Sequence, residues 1–217
     1  GVPIVYINLV GGQDELVFDG GSFVMDADGQ VSQRLPAYEE RLDPVDFKIE
    51  KGNTVVPAPK ALPDVIGEEQ SIYSAIVLGV RDYIEKNHFG GVVIGLSGGI
   101  DSALTLAIAV DAIGKERVEA VMMPSRYTAD MSNEDAELEA KALGVECQTI
   151  AIEPAFNTFL ELLKDELADK PWDTTEENIQ ARCRGILLMA ISNTKPHMVL
   201  TTGKKSEMSV GDVTLDG

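Results

Sequence analysis

Val92–Val93–Ile94–Gly95–Leu96–Ser97–Gly98–Gly99–Ile100–Asp101–Ser102 decides how the chain is read. Val92 to Leu96 is a short apolar run of the kind a buried strand takes. It breaks into Ser97–Gly98–Gly99. Asp101 and Ser102 then open a helical pattern, with Ala103, Leu104, Ala107 and Ile108 on one face and Gly114 past the end. Strand, glycine loop and helix start together make a phosphate cradle. Glycines let backbone N–H groups approach an anion with no Cβ in the way. The helix start adds unpaired N–H groups and a partial positive charge, and Ser97 and Ser102 add hydroxyl donors. Asp101 repels phosphate unless a cation lies between them, so it implies Mg²⁺, a hard ion that takes carboxylate and phosphate oxygens together. The bland alternative is an ordinary strand–turn–helix with Asp101 as the cap. Two serines, two glycines and an aspartate within six residues favour the phosphate reading. A Walker A loop would end in Gly-Lys-Ser/Thr, which this stretch lacks.

At 217 residues the chain has room for one domain or one and a half, and a hydrophobic content of 44% suffices for a core. No apolar run reaches membrane-spanning length, and no basic signal segment is present, so a cytoplasmic protein with no membrane partner is expected. Cys147 and Cys183 make no disulfide framework, and each reads as a small buried hydrophobe. The formal net charge of −18 repels phosphate backbones, so nucleic acid is not an expected partner. A small anion can still be held by local cations, backbone amides and Mg²⁺.

In chain order, Val2 to Val10 reads as a strand. Two glycine pairs, Gly11–Gly12 and Gly20–Gly21, bracket a polar loop, and Phe23–Met25, the Asp28–Gly29 turn and Val31–Leu35 read as a hairpin. Pro44, Pro57, Pro59 and Pro63 mark residues 43–65 as an extended linker. Gly67 to Asn87 has helical spacing and is expected beside the nucleotide sheet, with His88 at its solvent-facing end. Val118–Met123 is the next strand, reached through a helix and therefore parallel to the first. Ligands of open parallel sheets bind at the carboxyl ends of strands, so Met123 to Tyr127 should sit near the nucleotide. For Arg126, nucleotide contact and an ordinary surface arginine both stay open. Ser132 to Leu143 is expected as a helix with Ser132 and Asp135 as a variant capping box. A strand over Val145–Ile152 and a helix from Glu153 to Leu167 follow. The acid-rich run 164–170 reads as a solvated face or a lid. Glu176 to Asn193 is helical; Asn178 and Arg182, four apart, share one face suited to an anion, although taken alone an ordinary helix with surface arginines is the favoured reading, and Arg184 points elsewhere, where surface acids could pair with it. Val199–Thr201 is the last strand and delivers Thr202, Lys204, Lys205 and Glu207, with His197 structural.

SGGIDS, residues 97–102, resembles the SGGxDS loop of the ATP pyrophosphatase (PP-loop) superfamily, whose members cleave ATP between the α and β phosphates and adenylate a substrate oxygen. Asn8 to Phe23 resembles the C-terminal part of a nitrilase-superfamily amidase domain as fused in glutamine-dependent NAD synthetases. That domain uses a Glu-Lys-Cys triad whose cysteine lies N-terminal to this region, and no cysteine here precedes Cys147. The segment reads by itself as a structural hairpin with no catalytic site; Asp14, Glu15 and Phe18 would line the edge of the amidase pocket only were the missing part restored. With MPSRY at 123–127, ENIQAR at 177–182 and TGKKSE at 202–207, the chain resembles the glutamine-dependent NAD synthetases over nearly its whole length. ENIQAR with TGKKSE separates it from GMP, asparagine and argininosuccinate synthetases.

The resemblance implies an α/β fold: a parallel-sheet, Rossmann-like PP-loop domain preceded by the end of an αββα nitrilase-like domain. Residues 1–42 would be the amidase part, 43–65 the linker and 66–217 the ATP-pyrophosphatase domain. It implies that ATP adenylates the nicotinate carboxylate of deamido-NAD, releasing pyrophosphate, and that ammonia derived from glutamine then displaces AMP. Gly95, Leu96, Ser97, Gly98, Gly99, Ile100, Asp101 and Ser102, with Met123 and Thr202, would bind ATP. Asn178, Arg182 and Glu207 would bind deamido-NAD, and Asp101 and Glu207 would be the Mg²⁺ carboxylates. No residue need be a covalent nucleophile, and self-association is expected. Three departures stand out. Lys204 occupies a usual asparagine position, and Asp212 and Asp216 occupy usual tyrosine positions. The chain also stops at Gly217, ahead of the family's last strand, helix and lid, so a C-terminally incomplete fragment is expected. Another PP-loop amidoligase and an inactive nucleotide-binding chain are the alternatives.

Overall fold

The computed structural model describes residues 1–128, 130–168 and 171–203. The chain divides into two units, Gly1–Lys86 and Asn87–Gly217.

The first unit is built from short antiparallel strands. β1 (Ile4–Tyr6), β4 (Phe23–Met25) and β5 (Val31–Arg34) form a three-stranded sheet in the order β1–β4–β5, while β2 (Val10–Gln13) pairs with β3 (Leu16–Asp19) as a hairpin. The single strand expected over Val2–Val10 is therefore split. The cause is Asn8: its amide N–H donates to the Ser22 hydroxyl at 3.0 Å, and its side chain accepts from the Leu9 N–H at 2.9 Å and donates to Asp19. Local asparagine bonds of this kind compete with a strand ladder. Inside the proline-rich stretch 43–65 a second hairpin forms, β6 (Phe47–Ile49) with β7 (Val55–Pro57). Its turn carries Gly52 and Asn53 in the left-handed region, and Pro57 sits at a strand end, where a missing N–H is tolerated.

α1 (Glu68–Lys86) follows the expected periodicity. It groups with the first unit and lies on the β2–β3 hairpin. The Asp82 carboxylate accepts the Gly12 N–H at 2.8 Å, and Lys86 donates to the Gly12 carbonyl while pairing with Asp82 at 3.1 Å. A polar clasp of helix on hairpin leaves no hydrophobic signature in the sequence.

The second unit holds the organising stretch. β8 (Gly91–Leu96) leads into α2 (Ile100–Ile113), a 3-10 turn over Lys115–Arg117, then β9 (Val118–Met122) and α3 (Asp130–Leu143). β10 (Glu146–Thr149), α4 (Glu153–Leu162), the short α5 (Lys164–Leu167), α6 (Thr174–Thr194) and β11 (His197–Leu200) complete it. The four strands are parallel, in the order β10–β9–β8–β11. β9 is buried throughout and β8 almost throughout, as their unbroken apolar sequence demands. Val93, Val121, Ile152, Phe156, Cys183 and Leu188 form the core between the sheet and helices α4 and α6. Each large aliphatic or aromatic side chain buried there contributes about 1.5–3 kcal/mol.

Three boundaries differ from expectation. α3 starts at Asp130, so Ser132 lies inside its first turn and is not a cap. β10 ends at Thr149, yet Ile150 and Ile152 still donate to the Met122 and Pro124 carbonyls, so the chain stays alongside β9 without ladder geometry. The helix expected over Glu153–Leu167 breaks at Leu163, between α4 and α5. No described helix is long and apolar enough to cross a membrane.

Candidate functional site

Strand order reverses at β8. From it the chain proceeds outward to β9 and β10, then returns through α6 to β11 on the other side. Such a switch point leaves a crevice at the carboxyl ends of β8 and β11, where open parallel sheets hold ligands. Ser97–Gly98–Gly99 leaves β8 there. Thr202 stands two residues past the end of the adjacent β11 and is exposed.

The loop is braced from within. Ser102 is buried, 5% exposed, and its hydroxyl donates to the Gly99 carbonyl at 2.9 Å. With that proton committed, the Ser97 hydroxyl is the donor across the 3.0 Å separation between Ser97 Oγ and Ser102 Oγ. The Gly99 N–H in turn donates to Ser97 Oγ at 3.2 Å, and the Ser97 N–H reaches Ser102 Oγ at 3.3 Å. The two serines thus differ in place: Ser97 is exposed at the mouth, whereas Ser102 lies beneath and fixes the turn. Gly98 has φ +77°, and a Cβ there would lie 2.7 Å from the Ser132 carbonyl carbon and 2.9 Å from Ser132 Cα. Only glycine fits, because the first turn of α3 lies against the loop.

The N-cap of α2 is Gly99, with no side-chain capping bond. The alternative of Asp101 as cap is thereby corrected: Asp101 is half-buried within the first turn. A helix start without a side-chain cap presents N–H groups and positive potential to whatever fills the crevice. Ile100 is exposed and Leu96 buried, as expected for residues flanking a loop mouth.

α6 supplies the other wall. Its N-terminus is a full capping box: the Asp173 carboxylate accepts the Thr175 N–H at 2.7 Å, and Glu176 accepts the Asp173 N–H at 3.0 Å. The Asp-x-x-Glu spacing was available in the sequence and fixes the helix two residues earlier than its apolar pattern suggests. Asn178 and Arg182 are neighbours as expected, with Arg182 Nη1 donating to the Asn178 carbonyl at 3.1 Å. Arg184 points away from Arg182, as its spacing implies. It turns inward, and its Nε donates to the Met123 carbonyl at 3.3 Å. Met123 itself is 8% exposed, and its Sδ–Cε end packs over Gly95, where a Cβ would stand 3.1 Å from Met123 Cε and 3.2 Å from Leu188 Cδ1.

Arg126, left open by the sequence, is bound to α4. Its guanidinium pairs with Glu153 and donates to Asn157 at 2.7 Å, and its backbone N–H donates to Glu153 at 3.2 Å. The hydrogen bond from Arg126 holds the Glu153 carboxyl below the usual carboxylate range. Next to it, Tyr127 packs against Trp172 with ring centres 5.0 Å apart, and Trp172 meets the buried Phe156 at 5.9 Å. Burial pushes both cysteine thiols, Cys147 and Cys183, upward, so neither is poised as a thiolate nucleophile. Glu207, Lys204, Asp212 and Asp216 lie outside the described residues.

The NAD synthase family model matches residues 72–217. The glutamine-dependent NAD(+) synthetase of Acinetobacter baylyi is 48% identical over 216 residues, which is 100% of this chain and 39% of the relative. The solved glutamine-dependent NAD+ synthetase from Acinetobacter baumannii, in complex with ADP, has a TM-score of 0.93 at 47% identity, covering 99% of this chain and 40% of that one. The NH3-dependent NAD synthetase from Campylobacter jejuni has a TM-score of 0.62 at 30% identity, covering 70% of this chain and 64% of that one. The chain therefore spans about two fifths of the length of the glutamine-dependent relatives it matches.

Proposed function

The chain belongs to the NAD synthase family, and from that premise we propose that the protein carrying it makes NAD by ATP-dependent amidation of deamido-NAD. A carboxylate resists attack by ammonia because it is negatively charged and has no leaving group. Its oxygen attacks the α-phosphorus of ATP, the bond to the β-phosphate breaks, and pyrophosphate leaves. The resulting acyl adenylate is electrophilic; ammonia adds to its carbonyl carbon, AMP departs with the bonding pair, and loss of a proton leaves the amide. The protein's task is to bring two anions together in a fixed geometry.

The observation that carries this reading is the loop at the strand-order reversal: uncapped, internally braced, and closed to any residue but glycine at position 98. On it, residues 95–102 bind ATP, with Met123 at the end of β9 and Thr202 past β11. Asn178, Arg182 and Glu207 bind deamido-NAD. Mg²⁺ takes one or two carboxylates together with phosphate oxygens and water, a donor set that Asp101 beside the loop fits and Glu207 would complete. When bound, the ion neutralises phosphate charge.

The difference in coverage, 99% with a glutamine-dependent structure against 70% with an ammonia-dependent one, supports glutamine as the ammonia source in the whole protein. It also supports residues 1–42 as part of a nitrilase-like amidase domain and 43–65 as the join to the domain at 66–217. All three residues of β1 are about half exposed: Ile4 51%, Val5 49% and Tyr6 46%. A strand apolar on both faces belongs inside a thicker sandwich, which favours the same assignment. The reading also takes the protein to act in the cytoplasm as a homo-oligomer.

The test is pyrophosphate release by the full-length protein supplied with ATP, Mg²⁺, deamido-NAD and free ammonium. Release that requires deamido-NAD and disappears in Asp101→Ala is expected. Equal release with unrelated carboxylates would favour another amidoligase, and ATP binding with no release would leave a nucleotide binder.

A further inference from the structure

Arg182 and Arg184 are two residues apart on α6 and so face nearly opposite ways. Arg182 is exposed and folds back on its own helix. Arg184 is half-buried in the row Gln180–Arg184–Leu188, whose outer members are each 7% exposed. That row faces the point where β8 becomes the loop, since Leu188 packs over Gly95 beside Met123. There Arg184 meets an unusual peptide. Residue 124 is proline, so the Met123–Pro124 bond has a carbonyl and no N–H. Its orientation can be fixed only through the carbonyl, and Arg184 provides a charged donor at 3.3 Å. The Pro124 carbonyl is held separately by the Ile152 N–H at 3.2 Å.

The geometry points to Arg184 as a positioning residue for the nucleotide. It locks the carboxyl end of β9 beside the phosphate loop, so that ATP meets a preset wall. The role rests on the reading of residues 95–102 as the ATP loop and names a residue outside the ligand set proposed above.

The experiment uses the full-length protein and its Arg184→Gln, Arg184→Lys and Arg182→Gln variants. Affinity for ATP with Mg²⁺ is measured by calorimetry, and KM for each substrate and kcat by pyrophosphate release. Arg184→Gln is expected to weaken ATP about tenfold, the scale of a small misplacement of a wall of the site. KM for deamido-NAD and kcat should stay within about twofold. Arg184→Lys keeps the charge and a donor but not the planar fork, and should recover part of the loss. Arg182→Gln should show the reverse pattern. Wild-type ATP affinity in Arg184→Gln would overturn the proposal, as would a matching rise in KM for deamido-NAD, which would make Arg184 a substrate ligand. Should Arg184→Gln not fold, Arg184→Lys decides, since ATP affinity equal to wild type refutes the role. Weakened ATP binding in a protein that releases no pyrophosphate would keep this role and sink the ligase reading instead.

Discussion

Replacing Gly98 by alanine tests whether the loop is held against α3. Two costs follow from the structure. At φ +77° an L-residue pays about 1–2 kcal/mol for the left-handed conformation. The new methyl would also fall 2.7 Å from the Ser132 carbonyl carbon and 2.9 Å from its Cα, well inside ordinary contact. That partner is backbone in the first turn of a helix, so no rotamer change relieves it, and overpacking of this kind costs about 1–3 kcal/mol. The sum is about 2–5 kcal/mol, part of which goes into displacing the loop. Gly114→Ala is the control. It has φ +82°, but its nearest neighbour is the Glu116 carboxylate at 3.3 Å, the mobile end of a side chain. With ψ 147° it lies outside the left-handed helical region, in backbone that is nearly glycine-only, so it should cost only a conformational part of about 1–3 kcal/mol. Thermal unfolding and ATP calorimetry on both variants should show two lowered transitions, the larger in Gly98→Ala. Only Gly98→Ala should lose ATP affinity, by up to about a hundredfold if the loop shifts by an ångström. If Gly98→Ala melts with Gly114→Ala and binds ATP like the wild type, the loop is not seated on α3 and the reasoning fails.

Two further outcomes follow from the same geometry. Asp173→Ala removes the capping box of α6 and should lower stability by about 1 kcal/mol, with Asp173→Asn restoring most of it; identical melting of wild type and alanine variant would show that the cap carries no weight. Glu153 is held below its ordinary range by Arg126, so in acid the unfolded chain binds the proton first. The stabilisation is complete above the ordinary carboxylate pKa and is lost as pH falls through the lowered folded value. Stability measured from pH 7 downward should therefore fall less steeply in Glu153→Gln than in wild type, and parallel curves would mean that the pair contributes nothing.

The α/β class and the strand–loop–helix at residues 91–113 were legible because their signals are local and redundant: an unbroken apolar run, a glycine pair, and Gly114 at the end. What escaped depends on contacts between residues distant in sequence. α1 has a clear helical period, but period says which face is apolar and not which partner covers it; the Asp82–Gly12 bond that seats it spans 70 positions. Arg184 reads from its spacing as pointing away from Arg182, which holds, but spacing does not name what it meets. The spacing gave its direction, while its partner, the Met123 carbonyl, is 61 residues away. Ser102 was read with Ser97 as a phosphate donor because both are hydroxyls in one loop. Burial separates them, and burial inside a turn is not written in composition.

At a net charge of −18, the proposed binding of two anions would need a local field of opposite sign, and the arrangement of β9 bears on it. The strand starts with a buried carboxylate, Glu119, 6% exposed, which accepts hydrogen bonds from Gln148 at 2.6 Å and Lys195 at 2.7 Å. It ends at the Met123 carbonyl, held by Arg184. From residue 119 to residue 123 is about 13 Å at the usual strand rise. Paired with Lys195, Glu119 acts at that distance as a dipole and not as a bare negative charge, and a dipole's field falls off faster with distance. Among the described carboxylates only Glu119 and Glu176 are buried; the others are at least partly solvated, where salt screens them within about 10 Å. At the proposed phosphate loop the start of α2 offers backbone N–H groups, and Asp101 in its first turn calls for the cation that the proposed Mg²⁺ would supply. The same separation makes the acidic surface compatible with a phosphate substrate while it disfavours long phosphate polymers, which would have to run across that surface.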